Sequence, residues 1–531
     1  MAALSRPSLP DHCHARPRLC HPPTALDNYS YYNCSYLSGR GAMDKPAHMF
    51  DRDSEWASLT RFVGNEAKGA TIGVIYGRRR QGKTFLLDAL CKATGGFYFA
   101  ATEATERETL TRLGAELAEH LGLPSAIGLA DWYQAVDWLL ALGRDRPVPV
   151  VIDEFPYLVQ ATPSLPSIIQ RAYAPNRNER TQSRTRLLLC GSAMSFMGRL
   201  LTGNAPLRGR AGLEMVVPTL DYRLAARFWD IDDPRLAALT HSVVGGTPAY
   251  RTEFLHGDRP ESLSDFGPWI VRNVLDRDSP LFREARHLLA EEPNLRDQGL
   301  YHSVLSAIAA GNNARSGIAS FIGRKVTDLA HPLTVLEDAG LVRREEDAFR
   351  AARTRYCIAE PLVTFYHAVM RPEWSRLDRA GQAARVWEES GDRFRGRVVG
   401  PHFEALCRHW AQFYAGPETF TASPSHVGRG VVNDAARRTS HEVDVVVTGA
   451  ATGSRRPLLA IGEAKWGERV GLGHAERLRR VREVLRGRTD VDASAARLVL
   501  FSAAGFTDEL RELAAGDDEV RLIEVADLYR D

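Results

Sequence analysis

The stretch Thr71-Ile-Gly-Val-Ile-Tyr-Gly77-Arg78-Arg79-Arg80-Gln81-Gly82-Lys83-Thr84 constrains this chain more than any other. An apolar β run leads into G-x-x-x-x-G-K-T, and Phe85-Leu-Leu-Asp-Ala-Leu-Cys-Lys then has helical character. A phosphate-binding loop requires that order. Glycines let the backbone N–H groups of residues 77–82 curl around phosphate oxygens, and the helix N-terminus adds the positive end of its dipole. Gly77, Arg78, Arg79, Arg80, Gln81 and Gly82 would form the cradle. Lys83 would reach the β- and γ-phosphates of ATP, and Thr84 would offer its hydroxyl to Mg²⁺.

A second β-branched run, Val148-Pro-Val-Val-Ile-Asp153-Glu154, ends in two acids. In a nucleotide hydrolase the first holds Mg²⁺ and the second polarises the attacking water, so Asp153 and Glu154 take those roles. A third run, 186–190, ends at Gly191-Ser192. Ser192 either meets the γ-phosphate and its attacking water or caps the following helix.

Five segments recur in a characteristic order: Gly77-Arg-Arg-Arg-Gln-Gly-Lys-Thr84, Ile152-Asp-Glu-Phe-Pro-Tyr157, Cys190-Gly-Ser192, Pro206-Leu-Arg-Gly-Arg210 and Gly245-Gly-Thr-Pro-Ala-Tyr250. Together they resemble the archaeal-type P-loop ATPases, a branch of the AAA+/STAND group, from about Phe50 to the C-terminus. The resemblance implies an ATPase core, a helical lid, a winged helix and an appended C-terminal domain. It also implies that Arg210, more readily than Arg208, stabilises the γ-phosphate. Leu207-Arg208 departs from the leucine–tyrosine pair common at that point.

Length and balance set the remaining bounds. A chain of 531 residues, 44% hydrophobic, has material for several cores. Its formal charge of +2 is not that of a chain coated for bulk nucleic-acid binding. Seven scattered cysteines without a C-x-x-C pair fit a reducing cytoplasm. Neither a membrane-spanning run nor a secretory h-region is readable.

Residues 1–46 read as a disordered extension, or as the product of an upstream start codon. Its His12, Cys13, His14, Cys20 and His21 match no standard zinc spacing. Strands at 72–76, 97–101, 148–152 and 187–190, alternating with helices over 47–230, predict a three-layer parallel α/β sheet with ATP at the strand ends. Residues 231–297 read as a helical lid broken at Gly245-Gly246-Thr247-Pro248. Residues 298–372 read as a winged helix: helices at 301–310, 316–322 and 325–338, then two strands around a charged, mobile wing. The third helix either enters a DNA groove or serves as a protein contact that couples ATPase to tail. Residues 373–398 read as a charged helical linker.

The tail, 399–531, changes character. His441-Glu-Val-Asp444-Val-Val-Val and Leu458-Leu-Ala-Ile-Gly-Glu463-Ala-Lys465 are strands that a hairpin sets side by side. In a strand Glu463 and Lys465 share a face, and Asp444 faces them. Asp444 and Glu463 can share Mg²⁺ while Lys465 orients water at a phosphodiester, with Glu404 joining from the preceding helix. This resembles the PD-(D/E)xK fold, a restriction-endonuclease-like α/β domain. The leading reading is therefore an ATPase that controls a winged helix and a nuclease-like tail acting on DNA. The rival is a regulatory or scaffold ATPase whose inactive tail binds protein partners or further copies of the chain. A metabolic kinase is disfavoured, since no acceptor pocket or base beyond Glu154 is legible.

Overall fold

The structure, a computed structural model, describes residues 43–290, 297–451 and 455–530. Its first sheet contains β1 (Thr71–Tyr76), β2 (Phe97–Ala100), β3 (Val148–Asp153), β4 (Thr185–Gly191) and β5 (Ala211–Val216), in the order β2-β3-β4-β1-β5. Every pairing is parallel. Strands buried on both faces need apolar residues at consecutive positions, as these have. Ile72, Val74 and Tyr76 face one core with Val150, Ile152, Leu187 and Leu189. Ile75, Val151, Leu188 and Cys190 face another, against the helix Lys83–Thr94. Those two cores make the three layers that the sequence predicts. β5 was not anticipated. It is an edge strand of alternating burial, too polar to register as an apolar run.

Of the predicted extension 1–46, residues 1–42 and their His/Cys tract lie outside the described residues. Met43 and Lys45 are already tied down: the Trp56 indole donates to the Met43 carbonyl at 2.8 Å, and Lys45 pairs with Asp53 at 2.8 Å.

The helices after β5 break at Gly245-Gly246, as expected, where the helix Pro234–Val244 ends. Helices Gln298–Ala309, Arg315–Ile322 and Ala330–Asp338 follow, then the hairpin of β6 (Val342–Asp347) and β7 (Arg350–Ile358). The tip of this hairpin is not a mobile wing. Ala348 and Phe349 are buried, and Phe349 sits in one apolar core with Val432, Val443 and Val446.

The reason is a second sheet. It also contains β8 (His426–Asp434), β9 (Thr439–Thr448), β10 (Arg456–Lys465), β11 (Val491–Asp492), β12 (Arg497–Ser502) and β13 (Val520–Glu524). The main path is β13-β12-β10-β9-β8-β6-β7, with β11 beside β10. Asp347 joins the hairpin to β8: Ala348 N donates to the Arg429 carbonyl at 2.8 Å, and Val431 N donates to the Asp347 carboxylate at 3.0 Å. β8 went unread because its glycines and polar residues blur the two-residue alternation.

The stretch 373–398 is helical, as its sequence predicts. It is a series of short helices that bury Leu377, Val386 and Phe394 in a core. That core also takes Trp229, Trp269, Leu305, Leu336, Phe403 and Phe501, so the helical segments and the tail share it. No described helix is long and apolar enough to cross a membrane.

Candidate functional site

The loop after β1 is built by close approach and left-handed backbone. A Cβ at Gly77 would stand 2.5 Å from the Val217 carbonyl. Arg80 and Gly82 have φ of 67° and 84°, and Gly82 precedes the helix Lys83–Thr94. This curl aims successive N–H groups into one concavity. Lys83 is buried, and its ammonium donates to the carbonyls of Gly77 at 2.7 Å and Arg78 at 2.8 Å. Burial lowers its pKa; Asp153 and Glu154 oppose that shift. From outside, the Arg52 guanidinium holds the carbonyls of Gln81 at 3.2 Å and Pro218 at 2.9 Å.

Parallel pairing brings the tips of β3 and β4 to the same edge as the loop. Asp153 Oδ2 accepts from Thr84 Oγ1 at 2.8 Å and from Tyr98 at 2.6 Å, and Oδ1 accepts from Glu154 N at 2.9 Å. Burial pushes the Asp153 carboxyl up, but donation from Tyr98, Cys190, Thr84 and the Glu154 amide outweighs it, and the net shift is downward. The hydroxyl–carboxylate pair of Thr84 and Asp153 suits Mg²⁺, which keeps much of its water and takes few protein ligands beside phosphates.

Glu154 is in left-handed backbone, φ 50° and ψ 44°, a strained state for a non-glycine residue. Ser192 Oγ donates to its carboxylate at 2.9 Å. Ser192 therefore does not cap the next helix, Met194–Arg199, whose N-cap is Ala193. Beside this pair lies a cleft of about 320 Å³, lined by Arg79, Glu154, Tyr157 and Ser192 from the first sheet's layers and by Leu288 and Leu341 from the helical segments.

The loop arginines contribute more than backbone. Arg78 pairs with Glu360 at 2.5 Å, and Arg80 pairs with Glu284. Both acids are buried and come from the helical segments. Arg79 donates to the Tyr157 hydroxyl at 3.2 Å. Arg210 ends the loop before β5 and is not among the residues lining the cleft. Arg208 donates to the nearby Gly203 carbonyl at 2.8 Å. Tyr98, Arg52, Glu284 and Glu360 were missed from sequence. Only Tyr98 had a signal: it is a polar residue in a strand already read.

In the tail, Val445 pairs with Gly462, which puts Asp444 beside Glu463. The Ala464 amide donates to Asp444 Oδ2 at 3.0 Å, and Lys465 Nζ meets Glu463 Oε1 at 3.0 Å. Glu404 approaches from the helix Gly400–Phe413, its Oε2 being 3.8 Å from Arg408 and 3.9 Å from Arg429. Burial and then the Asp444 charge raise the Glu404 pKa. Burial also raises that of Asp444, against the Ala464 amide and Lys465. Burial lowers the Lys465 pKa, but Glu463 and Asp444 outweigh it and raise it.

A residue the sequence did not flag completes the cluster. Arg477, on the helix Leu472–Arg486, pairs with Glu463 Oε2 at 2.6 Å. Both oxygens of Glu463 therefore face cations. Among the described residues no group of three or more His, Cys, Asp or Glu is arranged as a metal cage. The β6–β7 hairpin reaches this cluster too, through Arg355 and Glu442 at 2.9 Å.

The five-stranded parallel sheet, with the glycine loop at the tip of β1, fits the P-loop NTPase fold. No family model matches the chain. The uncharacterized protein MJECL04 of Methanocaldococcus jannaschii is 24% identical over 332 residues, which is 62% of this chain and 70% of that protein. Among solved structures, the Walker-type ATPase PABY2304 of Pyrococcus abyssi is 20% identical, with 60% of this chain and 96% of that chain covered and a TM-score of 0.46. The ORC2 protein of Aeropyrum pernix, in its ADPNP–ADP complexes, is 17% identical over 67% of this chain and 99% of that chain, with a TM-score of 0.38.

Proposed function

We propose that the chain binds and hydrolyses ATP, and that its nucleotide state controls a winged-helix segment and a nuclease-like tail that acts on DNA. The observation that carries the ATPase reading is the meeting of Thr84, Asp153, Glu154 and Ser192 at the mouth of the loop. Bound Mg²⁺ would be held by Thr84 and Asp153 and would neutralise phosphate charge. Lys83 would exchange its two carbonyl acceptors for phosphate oxygens. Glu154, freed from Ser192, would accept the proton of the attacking water as its oxygen bonds to the γ-phosphorus and the bond to the β–γ bridging oxygen breaks.

The lid, winged helix and nuclease-like tail are the parts through which the reading extends to DNA. Exposed Arg324 and Lys325, just before the third helix, suit a phosphate backbone. Glu404, Asp444, Glu463 and Lys465 would handle the phosphodiester.

The scaffold alternative is favoured by one observation: Arg477 and Lys465 already neutralise Glu463. Three measurements on the full chain separate these readings. ATP turnover that needs Lys83 tests the first. Mg²⁺-dependent cutting of plasmid or single-stranded DNA that disappears in Asp444→Ala and Lys465→Ala supports the nuclease tail. ATP turnover with no cutting of any nucleic acid supports the scaffold.

A further inference from the structure

A cavity of about 620 Å³ lies away from both sites, between the helices Gln298–Ala309 and Arg315–Ile322 and the segments around Arg371 and Arg397. Its volume is in the range of about 300–1,000 Å³ usual for small-molecule sites. Its polar lining consists of Ser306, His367, Arg371, Arg393 and Arg397, and no lining residue is acidic. Guanidinium groups donate hydrogen bonds and accept none. Arg393 leans on Glu373 at 3.4 Å, whereas among the described residues neither Arg371 nor Arg397 pairs with a carboxylate.

His367 lies behind the arginines in the same wall. It is 4% exposed, and its Nε2 has no hydrogen-bond partner. Arg371 donates to Ser306 Oγ, and that oxygen lies 2.9 Å from His367 Nδ1. Burial, with His302 and Arg371 nearby, holds His367 far below the usual histidine range and therefore neutral.

The rest of the wall is apolar. Phe321 stands at the rim, 53% exposed, beside Ala309, Ala310, Ala368 and Pro372. Gly311 keeps room for the Arg397 side chain: a Cβ there would stand 2.2 Å from the guanidinium.

We propose that this cavity binds a small organic phosphate, its phosphate taken by Arg371 and Arg397 and its apolar or aromatic body lying against Phe321. Extended nucleic acid fits less well, because Phe321 and the alanines offer a packed wall rather than a track of cations.

The site shares no residue with the ATP loop, so the full chain carrying Lys83→Ala allows it to be tested alone. Titration calorimetry with phenyl phosphate should show one binding event per chain, tighter than for inorganic phosphate. Arg397→Ala should weaken both by at least about tenfold, the loss of one charge-assisted hydrogen bond. Phe321→Ala should weaken phenyl phosphate while sparing inorganic phosphate. Both residues are exposed, and an unchanged melting temperature would confirm that the variants fold. Absence of binding at millimolar phenyl phosphate, or binding indifferent to Arg397→Ala, overturns the proposal. A short DNA duplex that displaces phenyl phosphate in an Arg397-dependent way also overturns it, since the cavity would then hold a backbone phosphate.

Discussion

Arg78, in the loop at the tip of β1, pairs at 2.5 Å with Glu360, the residue that follows the β6–β7 hairpin by one position beyond Ala359. Glu360 is 1% exposed, and its Oε1 has no hydrogen-bond partner. The cradle for phosphate is therefore tied to the helical segments by a buried charge. Arg80 and Glu284 repeat the arrangement nearby. Nucleotide phosphates entering the loop would compete with these acids for the same guanidinium groups, which gives a physical route from nucleotide state to helix position.

Removing one partner of such a pair leaves a buried charge. Arg78→Ala is expected to destabilise the chain by about 3–5 kcal/mol. Adding Glu360→Gln should restore much of the loss, because the orphaned charge is gone. Urea unfolding of the single and double variants measures the coupling, and simple additivity would show that the pair contributes nothing jointly.

Ser192 and Glu154 make a second prediction. Glu154→Gln should retain ATP affinity while lowering turnover by about 10²–10⁴-fold, the range for a lost general base. Ser192→Ala removes the hydroxyl that holds Glu154 but no charge, so its effect on turnover should be much smaller. Steady-state hydrolysis alongside nucleotide binding separates the two. Undiminished turnover in Glu154→Gln would move the base elsewhere.

The buried hairpin tip predicts a cost where a mobile wing would predict none. Phe349 is 6% exposed within the tail's core. Phe349→Ala should cost about 3–5 kcal/mol. Hydrogen exchange should quicken at the Ala348 and Val431 amides, which tie the hairpin to β8. An unchanged unfolding midpoint would mean that the hairpin is free in solution.

Acid should loosen the contact between the helices Pro234–Val244 and Gly400–Phe413. His241 Nδ1 lies 2.9 Å from His402 Nε2, and burial lowers His241 from 6.5 to about 4. The unfolded chain takes up this proton first, so it binds more protons than the folded chain between those values. Stability therefore falls as pH drops from about 6.5 toward 4, by at most about 1.4 kcal/mol per pH unit for each such histidine. Melting temperatures across that window measure it. The slope should shrink in the His241→Leu, His402→Leu double variant.

Much of the nucleotide site was legible because its parts are local. A strand, a glycine loop and a helix follow one another in sequence, so Gly77, Lys83 and Thr84 could be placed without knowing what surrounds them. Asp153, Glu154 and Ser192 stand at the ends of apolar runs, and parallel pairing carries such ends to one edge. In the tail, strand alternation put Glu463 and Lys465 on one face, and the hairpin brought Asp444 beside them.

What lay beyond reach is non-local. Glu360 is separated from Arg78 by most of the chain, and no period or spacing links an arginine in a loop to an acid after a hairpin. Arg477 looked like one more charge on a helix surface until the fold turned it toward Glu463. Phe349, among charged neighbours, read as part of an exposed tip; only the pairing of Asp347 with β8 buries it. By itself the sequence determined the order of strands and helices and the chemistry at their ends, since backbone geometry ties those to near neighbours. The tertiary structure decided which charges are paired and which apolar residues are covered, because both depend on surfaces that meet only once the chain has folded.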